Sequence, residues 1–183
     1  MVKNRLKMKE MKIILIAITV MFSSYSCNKE ILTDDKLSFA RTLFVGNQLK
    51  TDGYYYLMDD YGVSATYFFY QNGIIIHRGG WINNSLEELE RNFHTIDWNE
   101  IKNNKSAWGI FQIKGNKIEF ERWYPSSGGP LPAYIRSGEI LNDTTFIITK
   151  SIRSKTGEEK ELYETYYFKQ FSPKPDSTNN FIK

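Results

Sequence analysis

The sequence predicts an all-β protein, an antiparallel up-and-down meander of about eight strands that closes into a barrel with one short helical insertion. Short runs rich in Tyr, Phe, Ile and Thr recur along the chain, and tight-turn residues separate most of them. Aromatic residues make up 15% of the chain, which is typical of strands with a buried face. Closure of the meander would leave no exposed sheet edge.

Three strands are predicted before the helix. Residues 54–58 and 64–70 flank the turn Asp59–Gly62, and residues 74–77 follow the pair Asn72-Gly73. An Asn-Gly pair between two apolar runs is a strong hairpin signal. These three segments therefore predict two consecutive hairpins.

The helical insertion is predicted to begin after Ser85. Ser85 and Glu88 have the spacing of a capping box. Leu86, Leu89 and Phe93 follow at the spacing of one helix face. Residues 97–105 are polar without a period, and we expect them to be irregular.

Five more strands are predicted after the helix, joined mostly by turns such as Lys114–Lys117. In residues 118–123, apolar and polar residues alternate, so one face of that strand, with Glu119 and Glu121, is expected to be solvated. The Pro- and Gly-rich segment 125–132 is expected to be a flexible loop, and the alternative is that it gates the barrel mouth. The five strands are predicted at 108–113, 118–123, 133–140, 144–152 and 162–171.

Residues 1–26 have the layout of a signal peptide. Five basic residues and Glu10 give this segment a net charge of +4. The whole chain has a net charge of +3, so residues 27–183 sum to −1. The apolar run Ile13–Phe22 is shorter than the about 20 residues needed to span a bilayer, and small polar residues follow it. Translation could also start at Met11.

The chain after residue 26 is close to neutral, which argues against nucleic-acid binding.

Cys27, the single cysteine, stands where a signal peptide would be cleaved. The stretch Ser24-Tyr25-Ser26-Cys27 resembles the relaxed lipoprotein signals of the Bacteroidota, in which the cysteine is acylated and becomes the first residue. The resemblance implies a lipid anchor in the cell envelope, at the outer membrane, with Cys27 as the lipidation site. A plain signal peptide is the alternative. We expect residues 27–45 to be the lipidated Cys and tether, 46–172 the barrel domain and 173–183 a flexible tail.

The barrel segment resembles a known style of small lipoprotein. Trp108-Gly109 opens a strand that continues through Phe111 and Ile113, and the strand beginning at Ile118 follows after a short turn. This pattern is similar to that of small lipocalin-like lipoproteins of the Bacteroidota, over roughly residues 49–171. The resemblance implies a lipocalin-like barrel. Because pockets in barrel mouths commonly bind ligands, we expect this barrel to bind a small apolar or glycan ligand.

No catalytic or metal-binding constellation is recognised in the sequence. The two histidines, His77 and His94, stand apart without the spacing of a zinc motif. Ser126-Ser127 lies in a loop rather than in a nucleophile elbow. We therefore expect neither an enzyme nor a cofactor. Thr144 and Ser177 lie in short Asp-Thr-Thr and Asp-Ser-Thr matches to an O-glycosylation pattern.

Strand alternation indicates which side chains point into the barrel. We predict Trp108, Phe120, Phe146 and Tyr166 as ligand-binding residues, on the interpretation that these aromatic side chains line a cavity. The alternative is a filled barrel in an accessory lipoprotein that engages a protein partner. The positions predicted to face inward are Trp108, Ile110, Phe120, Phe146, Ile148, Tyr166 and Phe168.

Overall fold

The computed structural model describes residues 33–79 and 85–183. Within these ranges, eight strands form a closed antiparallel barrel in which each pairs with its neighbours in sequence and the last returns to the first. The predicted all-β meander is therefore confirmed; residues 1–26 and Cys27 lie outside the described residues. The strands are β1 (Gly53–Asp59), β2 (Gly62–Phe69), β3 (Ile74–Gly79), β4 (Trp108–Lys114), β5 (Lys117–Trp123), β6 (Ala133–Asn142), β7 (Thr145–Arg153) and β8 (Glu159–Gln170).

The β2–β3 turn is the hairpin predicted from Asn72-Gly73. Gly73 has a φ of +81°, and its N–H donates to the carbonyl of Tyr70 at 2.9 Å. The Asn72 side chain accepts from the N–H of Ile74 at 3.2 Å. A Cβ at position 73 would also collide with the carbonyl oxygen of Thr42, so this turn requires glycine for both conformation and space.

Helix α1 (Leu86–Thr95) follows the predicted cap. The Ser85 hydroxyl accepts from the N–H of Glu88 at 3.3 Å. Leu89 and Phe93 are buried, and the Phe93 ring lies 5.3 Å from that of Phe68 on the outer face of the barrel. The helix thus covers apolar barrel surface with its apolar side.

The expectation that residues 97–105 are irregular is wrong. Helix α2 (Trp98–Asn103) and a 3₁₀ turn (Lys105–Ala107) occupy this segment. Asp97 caps α2 by accepting from the N–H of Asn99 at 2.8 Å. Trp98 packs edge-on against Phe68 at 5.9 Å. The sequence of this segment has no helical period, and its helical conformation is stabilised by packing on the barrel.

Two apolar cores lie on opposite faces of the sheet. The inner core fills the barrel, and the outer core lies under α1, α2 and the terminal segments. The predicted inward positions Phe120, Phe146, Ile148, Tyr166 and Phe168 are confirmed. The prediction that Trp108 and Ile110 face inward is wrong, because both belong to the outer core. Strand β4 is apolar on both faces, so its alternation does not identify the inner one.

The segment 33–45, expected as part of the tether, packs against the barrel, along β5 at residues 35–39 and against β4 and the β2–β3 turn at residues 40–44. The Trp123 indole N–H donates to the carbonyl of Asp35 at 2.6 Å. The N–H groups of Ser38 and Phe39 donate to one Glu121 carboxylate oxygen at 2.6 and 2.9 Å. Glu121 is 0% exposed, so the expected solvation of this residue is wrong. The N-terminal segment covers the strand face that alternation assigned to water.

The segment 173–183, expected as a flexible tail, also packs against the barrel. The Tyr70 hydroxyl donates to the carbonyl of Pro175 at 2.6 Å. The Asn72 amide donates to the Ser177 hydroxyl at 2.8 Å. Ile182 is 8% exposed and belongs to the outer core. The prolines and polar residues that suggested fraying therefore form specific contacts with the β2–β3 hairpin.

Candidate ligand-binding site at the polar end of the barrel

The four aromatic residues predicted to bind a ligand do not lie together. Phe120, Phe146 and Tyr166 pack inside the barrel, with 4.8 Å between the stacked rings of Phe146 and Tyr166 and 6.5 Å between Phe120 and Phe146. Trp108 lies on the outer face, where its indole N–H donates to the carbonyl of Ile101 at 3.2 Å. The three inner rings contact one another and are at most 2% exposed, so they form core.

The same inward rows become polar toward one end of the barrel. Following the rows along β2, β3 and β5, Phe69 gives way to Tyr67, Ile75 to His77, and Phe120 to Arg122. Tyr67 pairs with His77 across β2 and β3, and Arg122 pairs with Gly109 across β4 and β5. A side chain at position 109 would meet the Arg122 side chain and the Glu121 carbonyl. Gly109 therefore leaves room for the arginine.

Arg122 is the most buried cation of this polar end, at 4% exposure. Its Nε donates to the Tyr67 hydroxyl at 3.3 Å, and its Nη1 donates to the carbonyls of Ser106 and Trp123 at 3.1 and 3.0 Å. Its guanidinium lies 3.6 Å from the ring centre of Tyr124, a cation–π contact. These contacts fix the orientation of a positive charge within the barrel.

His77 is held neutral beside Arg122. Burial, together with the positive charges of Arg122 and Arg136, lowers the pKa of His77 well below its usual 6.5. Arg122 Nη2 lies 3.3 Å from His77 Nε2. Because a guanidinium only donates, Nε2 must be the acceptor, and the ring proton is on Nδ1. The Nδ1–H group is then a fixed hydrogen-bond donor at this end of the barrel.

A second arginine at this end has a carboxylate partner. Arg136 Nη1 donates to both Glu164 oxygens at 2.9 Å, and its Nε donates to the Tyr124 hydroxyl at 2.9 Å. Glu164 also accepts from the Tyr166 hydroxyl at 2.9 Å. Burial, the neighbouring Tyr67 and Glu164 raise the pKa of Tyr166 well above its usual value. Arg136 and Glu164 thus neutralise each other.

A cavity of about 390 Å³ opens beside Arg122. The volume lies within the range of about 300–1,000 Å³ that small-molecule sites occupy. Polar side chains and an apolar wall share the lining, and Pro125 comes from the loop 125–132. The lining residues are His77, Arg78, Gly79, Ile101, Asn104, Ser106, Ala107, Arg122 and Pro125.

Two further cavities lie near the opposite end. One of about 380 Å³ lies between segment 42–48 and β4. The other, about 360 Å³, includes Lys174, whose ammonium donates to the carbonyls of Thr51 and Phe69. Burial lowers the pKa of Lys174 to about 8, against the opposing charge of Asp52. In both cavities fewer charged side chains converge than in the cavity beside Arg122.

The residues of this candidate site do not stand out in the sequence. His77 ends a predicted strand, and no motif singles out Arg78 or Arg122. One signal was present: the inward alternation that correctly placed Phe120 also places Arg122 inside. A charged residue on a predicted inward row marks a candidate site, because charges are rarely buried without a role or a partner.

Comparisons of the chain with protein-family profiles, with characterised proteins and with solved structures gave no significant match. Within residues 33–79 and 85–183, no three His, Cys, Asp or Glu side chains are grouped so that they could hold a metal ion.

Proposed function

We propose that the protein is a lipid-anchored envelope protein whose barrel binds a small ligand at its polar end. The observation that carries this proposal is the cavity of about 390 Å³, whose lining includes His77, Arg78 and Arg122. Ligand sites commonly lie in barrel mouths and combine an apolar wall with a few polar groups. Ile101, Ala107 and Pro125 supply that wall.

The interior packing favours the mouth over the barrel centre as the binding site. Tyr67 lies 4.8 Å from Phe120 and 5.5 Å from Tyr166, ring centre to ring centre. Phe69 and Phe111 are 5.0 Å apart in an edge-on contact. These rings occupy the space that an apolar ligand would need in an open calyx.

The hydrogen bonds of the lining residues favour binding over catalysis. The hydroxyl of Ser106, which could serve as a nucleophile, donates to the Asn104 side chain at 2.8 Å. The Nε2 atom of His77 faces Arg122, so within the described cavity it does not activate Ser106 as a base would.

The anchor belongs to the proposal because of Cys27 and the signal-like segment before it. Acyl chains on Cys27 would give stable membrane attachment, at about 0.8 kcal/mol per buried methylene. Among the described residues, no helix is long and apolar enough to cross a bilayer. We expect the mature protein to begin at Cys27. The proposal covers an anchor on the periplasmic side of the outer membrane and one on its outer surface.

Mass spectrometry of protein recovered from its host envelope tests both parts. The N-terminal peptide should begin at Cys27 and carry acyl chains, and Cys27→Ser should abolish them. Native mass spectra of the Cys27→Ser full chain should show an excess mass that disappears on solvent extraction. A bare mass would contradict ligand binding, and an unmodified Cys27 would contradict the anchor.

The alternative is an accessory lipoprotein that engages a protein partner. The outer face of β8 favours it, because Tyr163 and Tyr167 are 83% and 47% exposed. Tyrosine is enriched in protein interfaces. In cross-linking from the intact envelope, a partner attached near Tyr163, with no bound small molecule, would favour this alternative.

A further inference from the structure

Among the described residues, Arg122 has no carboxylate partner. Arg136 is paired with Glu164, but among the ion pairs within the described ranges none includes Arg122. A buried cation is ordinarily paired with an anion. Arg122 therefore has an electrostatic environment that a negatively charged group would improve.

Two carboxylates next to partners of Arg122 are already engaged elsewhere: Glu121 precedes it in sequence, and Asp34 binds Lys105, the neighbour of Ser106. Glu121 points to the opposite face of β5, where it accepts from Ser38, Phe39 and Ser154. Asp34 pairs with Lys105 at 2.9 Å. Neither can reorient toward Arg122 without losing these contacts.

Arg122 also retains donor capacity at the cavity. Four of its five N–H groups have partners among the described residues, through Nε, both Nη1 protons and one Nη2 proton. The remaining proton is on Nη2. Arg78 and His77 line the same cavity. The lining therefore presents donors and positive charge, which suit an oxyanion.

The size of the cavity indicates more than an inorganic ion. About 390 Å³ is far larger than the roughly 30 Å³ that a water molecule occupies in the liquid. Ile101, Ala107 and Pro125 form an apolar part of the lining. An oxyanion alone would leave this wall without contacts.

We propose that the ligand is a small organic anion, with its oxyanion group against Arg122 and Arg78 and its body against the apolar wall of Ile101, Ala107 and Pro125. This inference rests on the proposed function and specifies the ligand class of the same cavity. The oxyanion can be a carboxylate or a phosphate, since both accept hydrogen bonds from a guanidinium.

The test uses the Cys27→Ser full chain and matched acid and amide probes. NMR titrations with ¹⁵N-labelled arginine and histidine would follow the Arg122 Nε–H and the His77 ring. The probes are benzoate with benzamide, glucuronate with glucuronamide, and phenyl phosphate. We expect an acid to bind at least about tenfold more tightly than its amide, because charge-assisted hydrogen bonds are about twice as strong as neutral ones. The benzoate and phenyl phosphate arms distinguish carboxylate from phosphate.

Saturation with the acid should also raise the pKa of His77, because the anion offsets the neighbouring arginine charges that lower it. Arg78→Gln should weaken acid binding at least about fivefold and weaken amide binding less, because the lost hydrogen bond is charge-assisted only toward the acid. Arg91→Gln changes the same residue type at an exposed position of α1 and should change neither affinity. Urea unfolding of both variants checks that any loss of binding is not a loss of folding.

The outcomes separate this inference from the proposed function. Equal binding of acids and amides, with shifts at Arg122 and His77, would overturn the anionic ligand and leave a ligand site. A neutral molecule recovered with the host protein would do the same. If no probe shifts these resonances and the host protein has a bare mass, both proposals are wrong.

Discussion

The two ends of the barrel interior are built from the same strands with opposite chemistry. At one end Phe69, Phe111 and Phe146 are at most 1% exposed and meet ring to ring. At the other end Arg122 and Arg136 lie over the ring of Tyr124. Burial of rings stabilises without directional partners, whereas each buried charge needs hydrogen bonds or a counter-charge.

The difference separates the end of the barrel that supplies stability from the end proposed to bind a ligand. The apolar end fills its own space, so a change there mainly alters folding. The polar end has a cavity, a neutral histidine and a cation without a carboxylate among the described residues. Groups that cost stability and remain available to a ligand are typical of functional sites.

The largest expected effect is at the apolar end. Phe120 is 0% exposed and lies 4.8 Å from Tyr67, ring centre to ring centre. Phe120→Ala should lower the free energy of unfolding by about 3–5 kcal/mol, since it leaves a cavity in packed core. Urea unfolding followed by tryptophan fluorescence measures it. Tyr163→Ala, at a position 83% exposed, is the control and should change stability by less than about 0.5 kcal/mol. Similar losses in both variants would contradict the filled end.

A smaller effect is expected from the paired charges of the polar end. Glu164→Gln removes the carboxylate of Arg136 and should lower the free energy of unfolding by about 2–3 kcal/mol. This is less than the about 3–5 kcal/mol of a fully buried pair, because the two side chains are 17% and 23% exposed. The control is Glu159→Gln, on the same strand β8, which breaks the exposed pair with Lys150 of β7. It should lower the free energy of unfolding by less than about 1 kcal/mol. Equal losses would mean that the polar end is open to water.

The pH dependence of stability tests the charge state of His77 at the polar end. The pKa of His77 is lowered in the folded protein, so below its unfolded value of about 6.5 the unfolded chain binds more protons. Stability should therefore fall as the pH drops below about 6.5, by at most about 1.4 kcal/mol per unit. His77→Gln keeps an acceptor for Arg122 and should reduce this slope between pH 5 and 6.5. His94→Gln, on the outer surface, should retain it. An unchanged slope in His77→Gln would contradict a buried neutral histidine.

The smallest effect is expected beside the apolar end, at Lys174. Its pKa is lowered to about 8 from 10.5, so above pH 8 the unfolded chain retains a proton that the folded protein has lost. Stability should rise between about pH 8 and 9.5, by less than about 1.4 kcal/mol per unit. Lys174→Met should lack this rise, whereas Lys155→Met, in an exposed loop, should keep it. Denaturant midpoints across this range measure it, and a rise in Lys174→Met would assign the effect to another group.

Local patterns account for most of the strand and turn predictions. Asn72-Gly73 identified a hairpin, and Ser85 with Glu88 identified the start of α1. Each signal involves residues a few positions apart, so the chain nearby determines the outcome. The same patterns failed where distant residues decide, as for Glu121, which segment 33–45 covers.

The candidate site is the clearest case of non-local determination. Arg122 meets residues 55 and 45 positions away in sequence, Tyr67 and His77. Strand register and barrel closure bring the three together, and no local pattern specifies either. The aromatic residues selected from the sequence were mostly core, because aromatic enrichment in strands reflects packing more often than ligand binding.

The sequence alone determined the number and order of the strands, the hairpin turns and the start of α1, because alternation, turn chemistry and capping are interactions within a few residues. The tertiary structure decided which face of β4 is inside, how the terminal segments pack and that His77, Arg78 and Arg122 share one cavity. Burial and charge balance depend on what lies across the barrel and over its surface, and only closure of the sheet fixes those neighbours.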